Sequence, residues 1–225
     1  GQSGTALGQV NHPTAVAFDP LGKLHVSEQN NHRIQIFETN GTSLGTYGFF
    51  GRQNYSPYGV DKTDEGTFLV TETSGHRVVE IDQNGSILCV ITSEGNEEGK
   101  VNHPRDVHLG KDNRIYVCDT NQHRVHIFDR NGTFIRMFGT QGSANDQFNQ
   151  PWASLASETE IFVLDRYNHR IQVFDHNGTY LRSLGGYGNL EGKFNNPMDL
   201  DWDDEGNLVV VDHSNRRLVH ITTSG

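Results

Sequence analysis

Carboxylate and arginine side chains recur at one fixed spacing in this 225-residue chain. An acid stands five residues before an arginine five times, in the pairs Glu28 and Arg33, Glu72 and Arg77, Asp119 and Arg124, Asp165 and Arg170, and Asp212 and Arg217. Such a pair is able to transfer a proton or to form an ion pair. Because a catalytic group normally occurs once, the recurrence predicts five structural, partly buried ion pairs that each fix a loop.

Arginine and aromatic residues form two further sets at positions that differ from one repeat to the next. The first set is Arg105, Trp152, Arg166 and Tyr167, and the second is Arg52, Tyr55 and Tyr58 with Phe49 and Phe50. Side chains of these types stack on unpaired bases and hold phosphates. They also dominate the binding energy of protein–protein interfaces. The sequence therefore predicts a ligand-binding surface that takes a protein or single-stranded RNA, with ordinary packing as the plainer interpretation.

The elements that position these residues follow from the repeat itself. Successive arginines of the acid–arginine pairs lie 44, 47, 46 and 47 residues apart. In each repeat, strand a follows a proline, strand b ends at the acid and strand c begins at the arginine. Strand d follows a turn that contains Asn-Gly in the first four repeats. Asn-Gly favours a two-residue hairpin with positive φ at both positions, and no helical period of 3.6 residues is present.

A four-stranded antiparallel unit that recurs about every 45 residues is typical of a propeller blade. We therefore predict an all-β fold, a β-propeller in a single domain. The repeats cover approximately residues 12–56, 57–103, 104–150, 151–196 and 197–225, with residues 1–11 as a loop between strands d and a. The last repeat lacks strand d, so the repeats form either a closed five-bladed ring or most of a six-bladed one.

In this topology the d–a and b–c loops share one rim, and strand a faces the central channel. The residues directly after the prolines should surround the opening on that rim, namely Thr14, Tyr58, Arg105, Trp152 and Met198. Alternation along strand a should turn five polar residues into the channel, namely Asp61, Asp106, His108, Asp199 and Asp201. Carboxylates of this kind bind hard cations. A solvated polar channel is the favoured interpretation, and we predict no metal and no cofactor.

The net charge of −10 argues against a surface that is basic all round, although it permits a local basic patch. It favours a protein partner slightly over RNA. Cys89 and Cys118 lie in different repeats, which predicts free thiols and a reducing, cytoplasmic compartment. No apolar stretch is long enough for a membrane span. We expect the isolated domain to be a monomer.

The tripeptides that end at the arginines carry a family resemblance. They are Asn31-His32-Arg33, Gly75-His76-Arg77, Gln122-His123-Arg124, Asn168-His169-Arg170 and Asn215-Arg216-Arg217. The pattern resembles the NHL repeat, named for Asn-His-Leu, over almost the whole chain, with arginine at the third position. The fifth repeat departs from it, because Arg216 replaces the histidine.

This resemblance implies a propeller like the one that ends TRIM-NHL proteins, where it selects RNA or a protein for a RING-type ubiquitin ligase domain. Two cysteines cannot supply the zinc sites of a RING, so we predict no enzymatic activity for this segment itself. An alternative is a propeller lyase or metal-dependent hydrolase that uses the channel carboxylates, since some NHL-like propellers are enzymes. In that case His108 is the only credible channel histidine. A scaffold or extracellular sensor without a small ligand is the third alternative.

Overall fold

The computed structural model describes residues 2–48 and 56–225, and within them it is built almost entirely of β-strands. Each repeat forms its own antiparallel sheet in the order a-b-c-d, and the fifth sheet contains strands a, b and c. The five sheets are the blades of a β-propeller, so the predicted fold is confirmed. None of the helical turns in the described ranges has the length and apolar character to cross a membrane.

The strand bounds follow the repeat. Strand a is Pro13–Phe18, Pro57–Lys62, Pro104–Leu109, Pro151–Ala156 and Asp199–Trp202 in blades one to five. Strand b is Leu24–Glu28, Phe68–Glu72, Arg114–Asp119, Glu160–Asp165 and Leu208–Asp212. Strand c is Arg33–Phe37, Arg77–Ile81, Arg124–Asp129, Arg170–Asp175 and Arg217–Ile221. Strand d is Ser43–Gly48, Ile87–Thr92, Phe134–Phe138 and Tyr180–Gly185.

The loops contain short elements of their own. Two-residue strands pair in parallel within the d–a loops, Gln2–Ser3 with Gln9–Val10 and Thr140–Gln141 with Gln147–Phe148. One turn of 3₁₀ helix occupies the b–c loop of blades two to five, at Thr73–Gly75, Thr120–Gln122, Arg166–Asn168 and His213–Asn215. Three-residue elements carry no sequence period, so the strand pattern alone did not predict them.

The turn between strands c and d differs from the prediction. In blade one Gly41 has φ of 87°, whereas Asn40 is not among the residues with positive φ. The amide of Gly41 donates to the carbonyl of Glu38, and the amide of Glu38 donates to the carbonyl of Thr42. This is a three-residue loop, a type I turn closed by a glycine in the left-handed region. The predicted two-residue hairpin is therefore wrong, and only the glycine of the Asn-Gly pair requires its special backbone.

Apolar residues fill the space between neighbouring blades. In the first interface Ile34 and Tyr47 of blade one pack with Val60, Phe68 and Val70 of blade two. Three further clusters of the same construction join blades two and three, three and four, and four and five. Each strand buries alternate residues against the blade before it and the blade after it, which stabilises the ring without a single central core.

The faces between blades five and one are uncovered. One position of strand a lies three residues after the proline. There, blades two to five are at most 8% exposed, at Val60, Val107, Ser154 and Leu200, whereas Val16 of blade one is 58% exposed. At the second position of strand c, Ile34, Val78, Val125 and Ile171 are fully buried, whereas Leu218 of blade five is 63% exposed. The first series faces the preceding blade and the second faces the following blade. We call the boundary marked by Val16 and Leu218 the seam.

The seam predicts unequal costs for the same substitution at equivalent positions. Val107→Ala should lower the free energy of unfolding by about 2 kcal/mol, because it leaves a cavity between packed blades. Val16→Ala should change it by less than about 0.5 kcal/mol, because water already reaches that side chain. Urea denaturation of the two variants provides the measurement. Equal losses in both variants would show that the blade-one face is covered in solution.

Candidate functional site

The five acid–arginine pairs all meet in the structure. Each acid is fully buried, while its arginine is more exposed at the outer end. The arginine Nε lies 2.8 Å from the carboxylate in the Asp165 and Asp212 pairs and 3.0 Å from it in the Asp119 pair. Glu28 pairs with Arg33 at 2.5 Å, and Glu72 contacts Arg77. The same contact in every blade marks these ten residues as part of the scaffold.

In the four blades whose d–a loops are described, the buried carboxylate accepts hydrogen bonds from two loops. Asp165 accepts from Asn168 at 2.8 Å, from Arg170 at 2.8 Å and from Gln172 at 3.2 Å. Its other oxygen accepts the backbone amide of Asn149, in the d–a loop, at 2.7 Å. The guanidinium of Arg170 also donates to two carbonyls of that loop. The b–c and d–a loops are therefore tied to one another, and they share one rim as the topology requires.

Three of the motif histidines join their blade to the next, a role that sequence reasoning missed. His169 lies in the left-handed region with φ of 57°, at the end of the 3₁₀ turn. Its Nδ1 accepts the backbone amide of Asn196, which directly precedes the proline of the next blade, at 2.9 Å. His76 and His123 accept in the same way from His103 and Gln150 at 3.1 Å. Burial lowers the pKa of His169, which keeps the ring nitrogen free to accept.

The first predicted set of rim residues forms a stack around Trp152. The guanidinium carbon of Arg105 lies 4.0 Å from the Trp152 ring centroid, and that of Arg166 lies 3.7 Å from it. Both guanidinium groups therefore lie against the Trp152 ring. Tyr58 meets Trp152 edge-on with centroids 6.1 Å apart, and Tyr167 lies 4.9 Å from Arg166. We call these five residues the Trp152 stack.

The Trp152 stack is packed rather than open. Trp152 is 6% exposed and Tyr58 is 8% exposed, whereas Tyr167 is 44% exposed. A nucleic-acid base would have to displace an arginine before it could stack on Trp152. The accessible groups of the stack are the guanidinium edges and the Tyr167 ring. The remaining residues of the second predicted set, Phe49, Phe50, Arg52 and Tyr55, lie outside the described residues.

A funnel opens beside the stack at the centre of this rim. Its volume is about 300 Å³, and all five residues that follow the prolines line it, namely Thr14, Tyr58, Arg105, Trp152 and Met198. Asp106 and Asp199 lie deeper and are shared with a second cavity of about 150 Å³. That cavity is lined by all five polar residues predicted to face the channel, Asp61, Asp106, His108, Asp199 and Asp201. The two cavities together form the central channel.

The channel carboxylates differ in their partners. Asp61 lies 3.0 Å from Nδ1 of His108 and accepts the backbone amide of Leu109 at 2.8 Å. Asp106 accepts the backbone amide of Ser154 at 2.8 Å and the Ser154 hydroxyl at 3.3 Å. Within the described residues, no group of three or more His, Cys, Asp or Glu side chains is arranged to hold a metal ion.

The channel also changes the proton affinities of these groups. Burial raises the pKa of Asp106 to about 6, against the hydrogen bonds from Ser154. Burial and the nearby Asp106 raise the pKa of Asp199 to about 7, although channel water reaches its side chain. Burial lowers the pKa of His108, but the hydrogen bond and charge of Asp61 outweigh that effect and the pKa is raised. The channel floor therefore carries less negative charge near neutral pH than its carboxyl count implies.

Comparisons with known proteins agree with this architecture. The family model of the NHL repeat matches residues 101–128. Protein brain tumor of Drosophila melanogaster is 30% identical over 122 residues, which cover 52% of this chain and 11% of that protein. The chain thus spans about a tenth of the length of this curated relative.

Solved structures share the fold at low sequence identity. Virginiamycin B lyase of Staphylococcus aureus is 16% identical with a TM-score of 0.71, covering 96% of this chain and 68% of that one. A chain of the nidogen/laminin complex is 16% identical with a TM-score of 0.73, covering 94% and 76%. A gluconolactonase of Xanthomonas campestris is 15% identical with a TM-score of 0.67, covering 89% and 69%.

The antiparallel blades and the buried carboxylate at each b–c loop define this molecule as a β-propeller of short tandem repeats. The match of the repeat model identifies an NHL repeat over residues 101–128, and the similarity to Brain tumor agrees with it.

The buried carboxylates predict a large loss of stability when one is neutralised. Asp165→Asn should lower the free energy of unfolding by about 3–5 kcal/mol, because the charge of Arg170 then lies half-buried without its partner. Asp204→Asn, at an exposed turn, is the control and should change it by less than about 0.5 kcal/mol. Urea denaturation measures both. A loss under about 1 kcal/mol in Asp165→Asn would contradict the structural role.

The raised pKa of Asp199 predicts a pH-dependent gain from its removal. Because this pKa is about 7 in the folded chain against an ordinary 3.8, the folded state holds a proton that the unfolded state releases. Stability therefore falls as the pH rises through that interval. Asp199→Asn should be more stable than the parent at about pH 8, by on the order of 1 kcal/mol after screening by channel water. The gain should vanish near about pH 4, and thermal denaturation at both values tests it. A gain independent of pH would refute the electrostatic cause.

Proposed function

We propose that this chain is a recognition module that binds a protein partner through the rim formed by the d–a and b–c loops. The observation that carries the proposal is the Trp152 stack beside a central funnel. Tryptophan, tyrosine and arginine are the residues that dominate protein–protein hot spots. Buried carboxylates hold the loops that carry them, and variable loops on a rigid scaffold are the usual place of binding sites.

RNA is the less supported ligand for this rim. The chain has a net charge of −10, and a neutral to acidic channel floor lies directly below the arginines. Trp152 is enclosed, so it offers no free face to a base. These features weaken the two interactions that dominate single-strand binding, which are phosphate contacts and base stacking.

The family resemblance supports a wider role for the parent protein. In this proposal the chain selects the substrate of a TRIM-NHL-like ubiquitin ligase, and any ligase activity belongs to a separate RING domain. Both cysteines are free thiols, which supports a reducing, cytoplasmic compartment. We expect the isolated domain to act as a monomer.

The enzymatic alternative has one observation in its favour, the contact between Asp61 and His108 in the channel. The lyase and gluconolactonase similarities lie at 15–16% identity and bear on the fold alone. A metal-dependent reaction lacks a ligand group among the described residues. Metal analysis of the purified domain tests it, since a stoichiometric ion that Asp106→Ala loses would favour the enzyme.

Affinity purification of the full-length protein from cells, with quantitative mass spectrometry, tests the proposed rim. Arg166→Ala should reduce recovery of the specific protein partner by about tenfold, the size of a hot-spot loss. Arg114→Ala is the matched control, because Arg114 pairs with Asp112 at the a–b turn on the opposite rim. Unchanged recovery in Arg166→Ala would refute the proposal. Loss of crosslinked RNA with unchanged protein recovery would replace it with RNA binding.

A further inference from the structure

At two positions, the d–a loop between blades four and five differs from the other described d–a loops. The first position pairs with the residue seven places further on, and it holds Ser3, Glu94, Gln141 and Tyr187. The carbonyl of the second position accepts from the arginine of the acid–arginine pair, and the residues there are Ala6, Glu97, Ala144 and Leu190. All eight residues are exposed. Because the exposure is the same and the chemistry differs, the fold does not require a tyrosine or a leucine here.

Both apolar side chains project from a fixed backbone. Tyr187 is 72% exposed and Leu190 is 75% exposed. The Tyr187 ring lies 4.9 Å from the ring of His169, and the carbonyl of Leu190 accepts from Arg217 at 2.9 Å. A surface held in this way loses little entropy when a partner covers it. Large apolar side chains grouped on one loop of a rim are typical of an interaction site.

These side chains adjoin Arg166 through a chain of contacts. The ring of His169 contacts Tyr187, and its Nδ1 accepts the backbone amide of Asn196 at 2.9 Å. The side chain of Asn196 in turn accepts from Nε of Arg166 at 2.7 Å. Arg166 belongs to none of the ion pairs formed by the described residues, and their hydrogen bonds engage only its Nε among the side-chain nitrogens. Its two terminal nitrogens are therefore left for an acceptor that approaches from outside.

The local charge differs between two sides of the rim. Beside Tyr187 and Leu190, the cations Arg166 and Lys193 stand against a single acid, Glu191. Lys193 is exposed and donates to the carbonyl of Gly185 at 3.0 Å. The loop between blades two and three instead carries three acids against one lysine, namely Glu94, Glu97, Glu98 and Lys100. An acidic segment on this rim is therefore repelled from the second loop and attracted to the first.

We infer that a protein partner docks here with an apolar side chain that lies next to an aspartate or glutamate. We call the docking site, which consists of Arg166, Tyr187, Leu190 and Lys193, the Tyr187 patch. The apolar side chain covers Tyr187 and Leu190, and the carboxylate accepts from the terminal nitrogens of Arg166. RNA is the less favoured ligand, because a leucine neither stacks on bases nor holds phosphates. The inference rests on the proposed function and adds the chemistry of the partner.

A short peptide of this chemistry is the probe. Acetyl-Asp-Phe-Asp-Leu-Asp-amide is titrated into the ¹⁵N-labelled full chain at constant ionic strength and followed by NMR. Saturable shifts are expected for the backbone amides of Tyr187 and Leu190 and for Nε–H of Arg166. The amide of Leu21, at the a–b turn on the opposite rim, should stay unshifted. Two matched peptides, one with serine for both apolar residues and one with lysine for every aspartate, should produce no saturable shift at the patch.

Substitutions locate the site without disturbing the loop. Tyr187→Gln and Leu190→Ala introduce the residues that stand at the equivalent positions between blades three and four, Gln141 and Ala144. Each should weaken binding of the peptide by about fivefold to tenfold, the size of a lost interface anchor. Arg166→Gln should weaken it by about tenfold, because a charge-assisted contact is lost. Leu21→Ala is the matched control, because Leu21 is 73% exposed, and it should bind as the parent does.

Four outcomes would overturn the inference. Equal binding of the serine peptide would show that apolar side chains are not covered, and equal binding of the lysine peptide would show that the acid is not recognised. Stronger binding of a uridine oligonucleotide at the Tyr187 patch would assign the patch to RNA. Absence of peptide binding, while Arg166→Ala still loses its protein partner in the purification, would leave the proposed function intact and remove only the patch. Saturable binding that Leu190→Ala weakens supports the inference even where the purification finds no partner.

Discussion

A carboxylate without access to water is the constraint on which this propeller depends. In every blade it lies at the end of strand b, where it needs donors on all sides. The chain supplies them from the arginine at the start of strand c and, in the fully described loops, from a backbone amide of the d–a loop. Two loops that would otherwise move independently are therefore closed onto one charge. Loss of one donor leaves the buried carboxylate without a full set of hydrogen bonds. The conformations of the b–c and d–a loops therefore depend on one another.

That constraint explains why rim residues are free to vary. The loop backbone is held by the carboxylate, the arginine and the motif histidine, so the residue type after each proline differs between repeats without changing the loop. Those positions hold Thr14, Tyr58, Arg105, Trp152 and Met198, five different side chains in five equivalent places. Where scaffold residues repeat and neighbouring residues do not, the differences mark what distinguishes this propeller from others of its family.

Most of the fold was predictable from the repeat, because the strands, acids and arginines recur at the same positions in each repeat. The five polar channel residues were also predictable, since alternation along strand a decides which side chains face the axis. The stack around Trp152 was only partly predictable from the sequence. Its members were named from residue type and rim position, but their mutual packing depends on how far neighbouring blades turn, and no local pattern records that angle. The burial of Trp152 against two arginines and Tyr58, which disfavours base stacking, became visible only in three dimensions.

The contact made by the motif histidine could not be predicted from the sequence, for a different reason. A histidine in the left-handed region costs about 1–2 kcal/mol relative to ordinary backbone, so a repeated one requires a compensating contact. That contact is an amide of the next blade, 27 residues further on in the three cases of His76, His123 and His169. Spacing within one repeat cannot reveal a bond between two repeats.

The fifth repeat departs from the histidine motif. Arg216 replaces the histidine in blade five, keeps the left-handed backbone with φ of 55°, and is exposed. Blade five is also the blade whose Leu218 face is uncovered at the seam. A histidine there would have no packed neighbour to accept from, so nothing in the described structure requires one. The exception to the sequence pattern and the exception to the packing pattern therefore lie in the same blade.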